Sequence, residues 1–253
     1  MDNTKRIFLW SGPRNISTTL MYSFAQRADT EVFDEPLYGA YLKDTSAQSY
    51  HPDAQMIMDD MECNKEKVVE MMLGPHGKKV VFFKNMTHHL MGLDKSFLRK
   101  GFNILLTRDP KEMLPSFDKV IPNPALKDVG YQEHAALLSY LKEEGIPYAV
   151  LDAKQTLLNP ENVLSQLCEK AAIAFDKSML RWPAGPRVQD GIWAQHWYDS
   201  VHSSTGFKPY QPKEKEFPQY LEDLLKESQP YYEALAKEAL ITSTVVSTNS
   251  RIV

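Results

Sequence analysis

Apolar residues in this chain fall into short solid blocks, each followed by a turn signal and then by a segment of helical spacing. Ile7-Phe8-Leu9-Trp10 runs into Ser11-Gly12-Pro13, and Leu20, Met21 and Phe24 follow within residues 17–27. A solid block stopped by Gly-Pro predicts a strand and a tight loop; the spacing after it predicts a helix. Further blocks predict strands at Glu31-Val32-Phe33, at Val80-Val81-Phe82-Phe83, over 102–107 and over 148–151. Helices are predicted over 65–73, 131–144 and 160–172, and from Pro110, whose fixed φ and missing donor suit a first helical position. Blocks without alternation belong to strands covered on both faces. The order therefore predicts an α/β fold, a parallel sheet of about five strands with helices on both faces. Ligands of such sheets bind beyond the carboxyl ends of the strands.

From about residue 182 to 215 the periodicity stops, and Pro, Gly, Trp and His accumulate. This stretch is expected to be an ordered loop region covering a site. Residues 217–240 predict a closing amphipathic helix, and 242–253, rich in Ser, Thr and Val, a flexible C-terminal tail. A length of 253 residues with 43% hydrophobic content supports one core, so residues 1–241 are expected to form a single domain. The 29 basic and 33 acidic side chains leave a formal charge of −4. No overall positive field exists for nucleic acid or an anionic membrane, and an anionic ligand must be held locally. Cys63 and Cys168 stand outside any CxxC or Cys/His spacing, which argues against a disulfide framework and a structural zinc site. The first residues are too short an apolar run for a signal-peptide core, so a cytoplasmic location is expected.

The segment Gly12-Pro13-Arg14-Asn15-Ile16-Ser17-Thr18-Thr19 sits between the first strand and the first helix, where backbone amides and the helix dipole converge on an anion. Ser17 and Thr18 would equally serve as plain helix caps. A nucleotide-triphosphate loop, GxxxxGK[ST], would place Gly and Lys where Ser17 and Thr18 stand. The cradle is kept without the lysine clamp.

At these residues the chain resembles the superfamily of sulfotransferases that use 3′-phosphoadenosine 5′-phosphosulfate (PAPS), whose P-loop-type first loop commonly reads Pro-[Arg/Lys]-Ser-Gly-[Thr/Ser]-[Thr/Ser]. Pro13-Arg14-Asn15-Ile16-Ser17-Thr18 keeps the cation and both hydroxyls and departs at Asn15 and Ile16. The family's second signature, an Arg and a Ser eight residues on, is met by Arg108 and Ser116. The resemblance implies that residues 13–19 hold the 5′-phosphosulfate and that Arg108 and Ser116 grip the 3′-phosphate. Without it, Arg108 reads as a partner of Asp109 or of the helix start. Ser203-Ser204-Thr205-Gly206-Phe207 resembles the late loop of related proteins, including domains attached to plant branched-chain aminotransferase-like chains. It implies that Ser204, Thr205, Gly206 and Phe207 close over the adenosine, against the alternative of an ordinary surface turn.

In-line sulfuryl transfer needs a cation for the departing phosphate and a base for the acceptor's proton. Arg14 is the expected cation, with Lys84 assisting. Glu35, after the second strand, is the favoured base; His88 and His89, shortly after Lys84, compete with it. Asp34 and Glu35 have a plainer alternative as caps of a helix begun by Pro36, and Lys84 as a solvated strand end. His196, His202, Trp193 and Trp197 are expected to pack the loop or line an acceptor pocket, itself formed by residues 38–61 and 120–131. The expected activity is transfer from PAPS to a hydroxyl or amine of a small-molecule acceptor, without a metal, giving adenosine 3′,5′-bisphosphate. A P-loop kinase of small molecules and a non-catalytic nucleotide-binding module are the alternatives.

Overall fold

The computed structural model describes residues 4–212 and 216–242; most of the expected tail, residues 243–253, lies outside them. The chain runs β1 (Lys5–Ser11), α1 (Ser17–Phe24), β2 (Thr30–Asp34), α2 (Tyr38–Asp44), α3 (Ala54–Asp60), α4 (Lys65–Leu73), β3 (Val80–Met86), β4 (Phe102–Thr107), α5 (Pro110–Phe117), α6 (Leu126–Val129), α7 (Tyr131–Glu143), β5 (Tyr148–Asp152), α8 (Ala153–Leu158) and α9 (Pro160–Lys170). After these come the single turns α10 (Ala194–Trp197) and α11 (Asp199–His202), then α12 (Glu222–Ala236). The expected strands and principal helices form; the closing helix, expected over 217–240, runs from Glu222 to Ala236 behind a 3₁₀ turn at Gln219–Leu221.

All five strands are parallel, in the order β2-β3-β1-β4-β5. Successive residues of each strand enter opposite cores. Ile7, Leu9, Phe82, Ile104 and Leu151 pack with α1 and α9, whereas Phe8, Trp10, Phe83, Leu105 and Val150 pack with α4 and α7. Both faces are dry, which is why the strands read as solid apolar blocks. Within the second core Phe8 meets Phe83 and Phe97, and Trp10 donates its indole N–H to the buried Asn103 Oδ1 at 3.0 Å.

The chain leaves β1 for one side of the sheet and returns from β3 to the other, so β1 sits at the switch point with β3 and β4 as neighbours. Their carboxyl ends share one rim. On that rim Asp34 at the end of β2 lies in register with Lys84 of β3. The segment 182–208 crosses the same rim as irregular chain with two single helical turns, covering it as the loss of periodicity implied.

Candidate functional site

Two loops leave the rim through left-handed backbone, Arg14 at φ 52° after β1 and Glu35 at φ 47° after β2. Such conformations cost a non-glycine residue about 1–3 kcal/mol each and persist where the surroundings fix them. Both residues line one cavity of about 190 Å³. Gly12, Pro13, Asn15, Ser17 and Thr18 form one side of it and Lys84 and Glu35 the floor, with aromatic side chains from α2 and the covering segment among the other walls.

The cradle side carries Arg14; Arg108 lines not this cavity but a smaller hollow that shares Gly12, Pro13 and Asn15 with it. Arg14 Nε donates to Ser116 Oγ at 3.4 Å, and Arg108 Nη1 donates to the Arg14 carbonyl at 3.1 Å, so the structure draws both signatures into one cluster. Arg108 is steadied by Glu112 at 3.3 Å, one turn along α5, and its own carbonyl accepts from Tyr131. Its Nε is buried with no hydrogen-bond partner among the described residues. Burial and the neighbouring Arg108 charge hold the Arg14 pKa below its ordinary value. Two guanidinium groups side by side, one with an orphaned donor, call for an anion between them. Ser17 and Thr18 do not cap α1: its cap position is Ile16 and no side chain serves it. Asp109 caps α5 through the Lys111 amide and does not pair with Arg108.

The floor is an acid–base network. Lys84 is 1% exposed, and its ammonium donates to Asp34 at 2.8 Å, to Glu35 at 2.5 Å and to the Tyr198 hydroxyl at 2.6 Å. Burial works to lower the Lys84 pKa, yet Asp34 and Glu35 hold it well above its ordinary value. Burial pushes the Glu35 carboxyl up; Lys84 opposes that and Asp34 adds to it. Neither carboxylate is a helix cap, because α2 begins at Tyr38 with no side-chain cap. Lys84 is likewise no solvated strand end.

His88 and His89 line the same cavity in an aromatic wall, with Tyr38 stacked on His89 at 5.2 Å and Tyr41 packed against both. Burial pushes the His88 pKa down to about 4, and that of His89 well below its ordinary value. Both are neutral near pH 7, and His89 Nε2 lies 3.9 Å from Glu35. From the segments 38–61 and 120–131, Tyr38, Tyr41, Tyr50, His51, Ile121, Lys127 and Asp128 line the cavity.

Several expected residues stand elsewhere. Ile16 packs into the core beside α1, and Thr19 does not line the cavity. Ser204, Thr205, Gly206 and Phe207 line a separate open hollow with Arg181 and Lys208, because this loop is bound to the chain around Trp182: Gly206 bridges Arg181, the Thr205 carbonyl accepts from the Trp182 amide, and Ser204 accepts from the Trp182 indole. His196 bonds Asp53 at 2.6 Å, tying the covering segment to the start of α3, and His202 bonds Asp190 within the segment at 3.0 Å, while Trp193 and Trp197 line the cavity. Tyr198, absent from the sequence reading, is the residue that joins that segment to the floor. No local pattern marks it.

Among the described residues no group of acidic, His or Cys side chains is arranged to hold a metal ion, and no helix is long and apolar enough to cross a membrane. The family model of the sulfotransferase domain matches residues 5–239. Branched-chain-amino-acid aminotransferase-like proteins 1 and 2 of Arabidopsis thaliana are each 42% identical to the chain, over 98% and 94% of its length. The matches cover 44% of each relative, so the chain spans less than half the length of these proteins. In fold it is similar to the sulfotransferase domain from the curacin biosynthetic pathway, with a TM-score of 0.53 at 16% identity over 89% of this chain and 98% of that one. It is also similar to the sulfotransferase from Alicyclobacillus acidocaldarius, with a TM-score of 0.52 at 13% identity over 92% and 94%. A P-loop-type sheet with this cradle, and a family match that runs through nearly all of it, place the chain in the sulfotransferase domain family.

Proposed function

We propose that the protein transfers a sulfuryl group from PAPS to a small-molecule hydroxyl or amine, with Glu35 as the base. The observation that carries this reading is the juxtaposition of the Arg14 and Arg108 pair with a buried carboxylate of raised pKa. The cationic cluster fits the phosphates of such a donor: Arg108 has a free buried Nε, Ser116 sits beside Arg14, and the start of α1 is left without a side-chain cap. PAPS, when bound, supplies the sulfuryl group on a phosphate leaving group.

Glu35 takes the proton from the acceptor as the acceptor oxygen or nitrogen bonds to sulfur. The bond from sulfur to the phosphate oxygen breaks, and its electron pair leaves with adenosine 3′,5′-bisphosphate. Arg14 meets the charge that grows on that phosphate; oxyanion contacts of this kind contribute about 10²–10³ in rate. Lys84 spends its three donors on Asp34, Glu35 and Tyr198 and so fixes the base. Neutral His88 is the poorer base, since the conjugate acid of an efficient one titrates near the working pH. It serves with His89 and the tyrosines as the wall against which the acceptor lies.

The test is incubation with PAPS, a chelator and an acceptor library, with mass-spectrometric detection of an added sulfuryl group. Metal-independent transfer that disappears in Glu35→Gln supports the reading. Transfer undiminished in Glu35→Gln removes Glu35 as the base, and adenosine 3′,5′-bisphosphate binding without transfer to any acceptor favours the non-catalytic alternative.

A further inference from the structure

The mechanism leaves one buried carboxylate without a task. Asp34 is 1% exposed in its side chain and does not line the cavity; it stands behind Glu35, which does. It is nevertheless fully engaged. Oδ1 accepts from Lys84 at 2.8 Å, while Oδ2 accepts from the Tyr198 hydroxyl at 2.8 Å and from the Gly191 amide at 3.2 Å. The last two donors come from the covering segment. Tyr198 is fixed in turn by the Trp193 indole, which donates to its oxygen at 3.1 Å. At Gly191 an added Cβ would sit 2.1 Å from the Trp193 ring, so this approach of the segment to Asp34 requires glycine.

The charges explain what such a residue does. Glu35 bonded to Lys84 alone would be one half of a neutral ion pair, and an opposite charge at hydrogen-bond distance lowers a carboxyl pKa by about 1–3 units. A carboxylate so stabilised is a weak base. Asp34 claims part of the same ammonium and sets a second negative charge beside Glu35. The titratable groups facing Glu35 are then Asp34 from β2, Lys84 from β3, His89 from the turn after β3, Tyr38 from α2 and Tyr198 from the covering segment. His89 is neutral and burial raises both tyrosines; with Arg14 lining the same cavity, Lys84 and Asp34 are the charges that act most on Glu35.

We propose that Asp34, held by Lys84, Tyr198 and the Gly191 amide together, is a positioning residue which shares the Lys84 ammonium and so keeps Glu35 basic. The inference rests on Glu35 as the base, but its test needs no acceptor. The Glu35 carboxyl is titrated by infrared difference spectroscopy, its band identified by loss in Glu35→Gln. In Asp34→Asn the midpoint falls by about one pH unit or more, as loss of a like charge beside a retained opposite one requires. In Asp34→Glu it stays near the wild-type value, and in Tyr198→Phe, which removes no charge, it moves far less than in Asp34→Asn. An unmoved midpoint in folded Asp34→Asn overturns the proposal; so does an equal shift in Tyr198→Phe, which would mark a general disturbance of the floor. If Asp34→Asn does not fold, Lys84→Met is compared with Asp34→Asn/Lys84→Met. A higher midpoint in the single variant supports the coupling, and equal midpoints refute it. Failure of the base assignment shows separately, as a Glu35→Gln protein that still turns over.

Discussion

The two left-handed turns on the rim, at Arg14 and at Glu35, meet opposite electrostatic problems. Around Arg14 the charges are alike and incompletely paired: two guanidinium groups lie together, and Arg108 keeps a buried donor without a partner among the described residues. Around Glu35 every donor of Lys84 is taken by a protein oxygen. A cluster left short of an anion is completed by a ligand, whereas a saturated one holds a reacting group still. On the function proposed above, the first cluster holds the donor and meets its leaving phosphate, and the second keeps the base in place.

The largest break in this division is expected at Glu35. Glu35→Gln is predicted to lower turnover by about 10²–10⁴, the usual contribution of a positioned base, with affinity for adenosine 3′,5′-bisphosphate unchanged by calorimetry. An equal loss of affinity would mean that the floor also binds the donor. Next come Arg14→Ala and Arg108→Ala, each expected to weaken adenosine 3′,5′-bisphosphate binding by about 10- to 100-fold, the worth of a charge-assisted hydrogen bond. Thermal melts of both variants should show the fold retained.

The pH dependence sharpens the same contrast. A base acts only when deprotonated, so turnover rises with pH through its pKa; because burial raises Glu35, the acidic limb of kcat is expected above the ordinary glutamate range and disappears with Glu35→Gln. A limb near pH 4 that persists in Glu35→Gln and vanishes in His88→Ala would move the role to His88, whose pKa lies at about 4. The smallest effect is expected from Thr205→Ala. This residue lies in the separate hollow beside Arg181, and adenosine 3′,5′-bisphosphate affinity should change by less than about twofold, as surface substitutions generally do.

The division also shows what could be read from the chain. Strand positions were legible because a sheet buried on both faces leaves solid blocks such as Ile7-Phe8-Leu9-Trp10. The cradle was legible because a loop must follow β1 directly to aim its amides, which keeps Arg14, Ser17 and Thr18 contiguous. Its second half, Arg108 and Ser116, occupies one loop and the last turn of the helix that follows it. The floor joins residues from three distant places: Asp34 and Glu35, Lys84 about fifty positions on, and Tyr198 more than a hundred beyond that. Such partners meet only through the register of β2 with β3 and the path of the covering segment, which no local spacing encodes. Asp34 therefore passed for a helix cap, and Tyr198 for nothing in particular. The loop at 204–207 lines a separate hollow with Arg181 and Lys208, and its Ser-Thr-Gly composition alone does not say where the fold carries it.

The most direct test of the central claim is a crystal structure with adenosine 3′,5′-bisphosphate bound. A phosphate is expected between Arg14 and Arg108, with Arg108 Nε donating to it and Glu35 left free across the cavity. A nucleotide bound elsewhere, or guanidinium groups turned away from its phosphates, would contradict it.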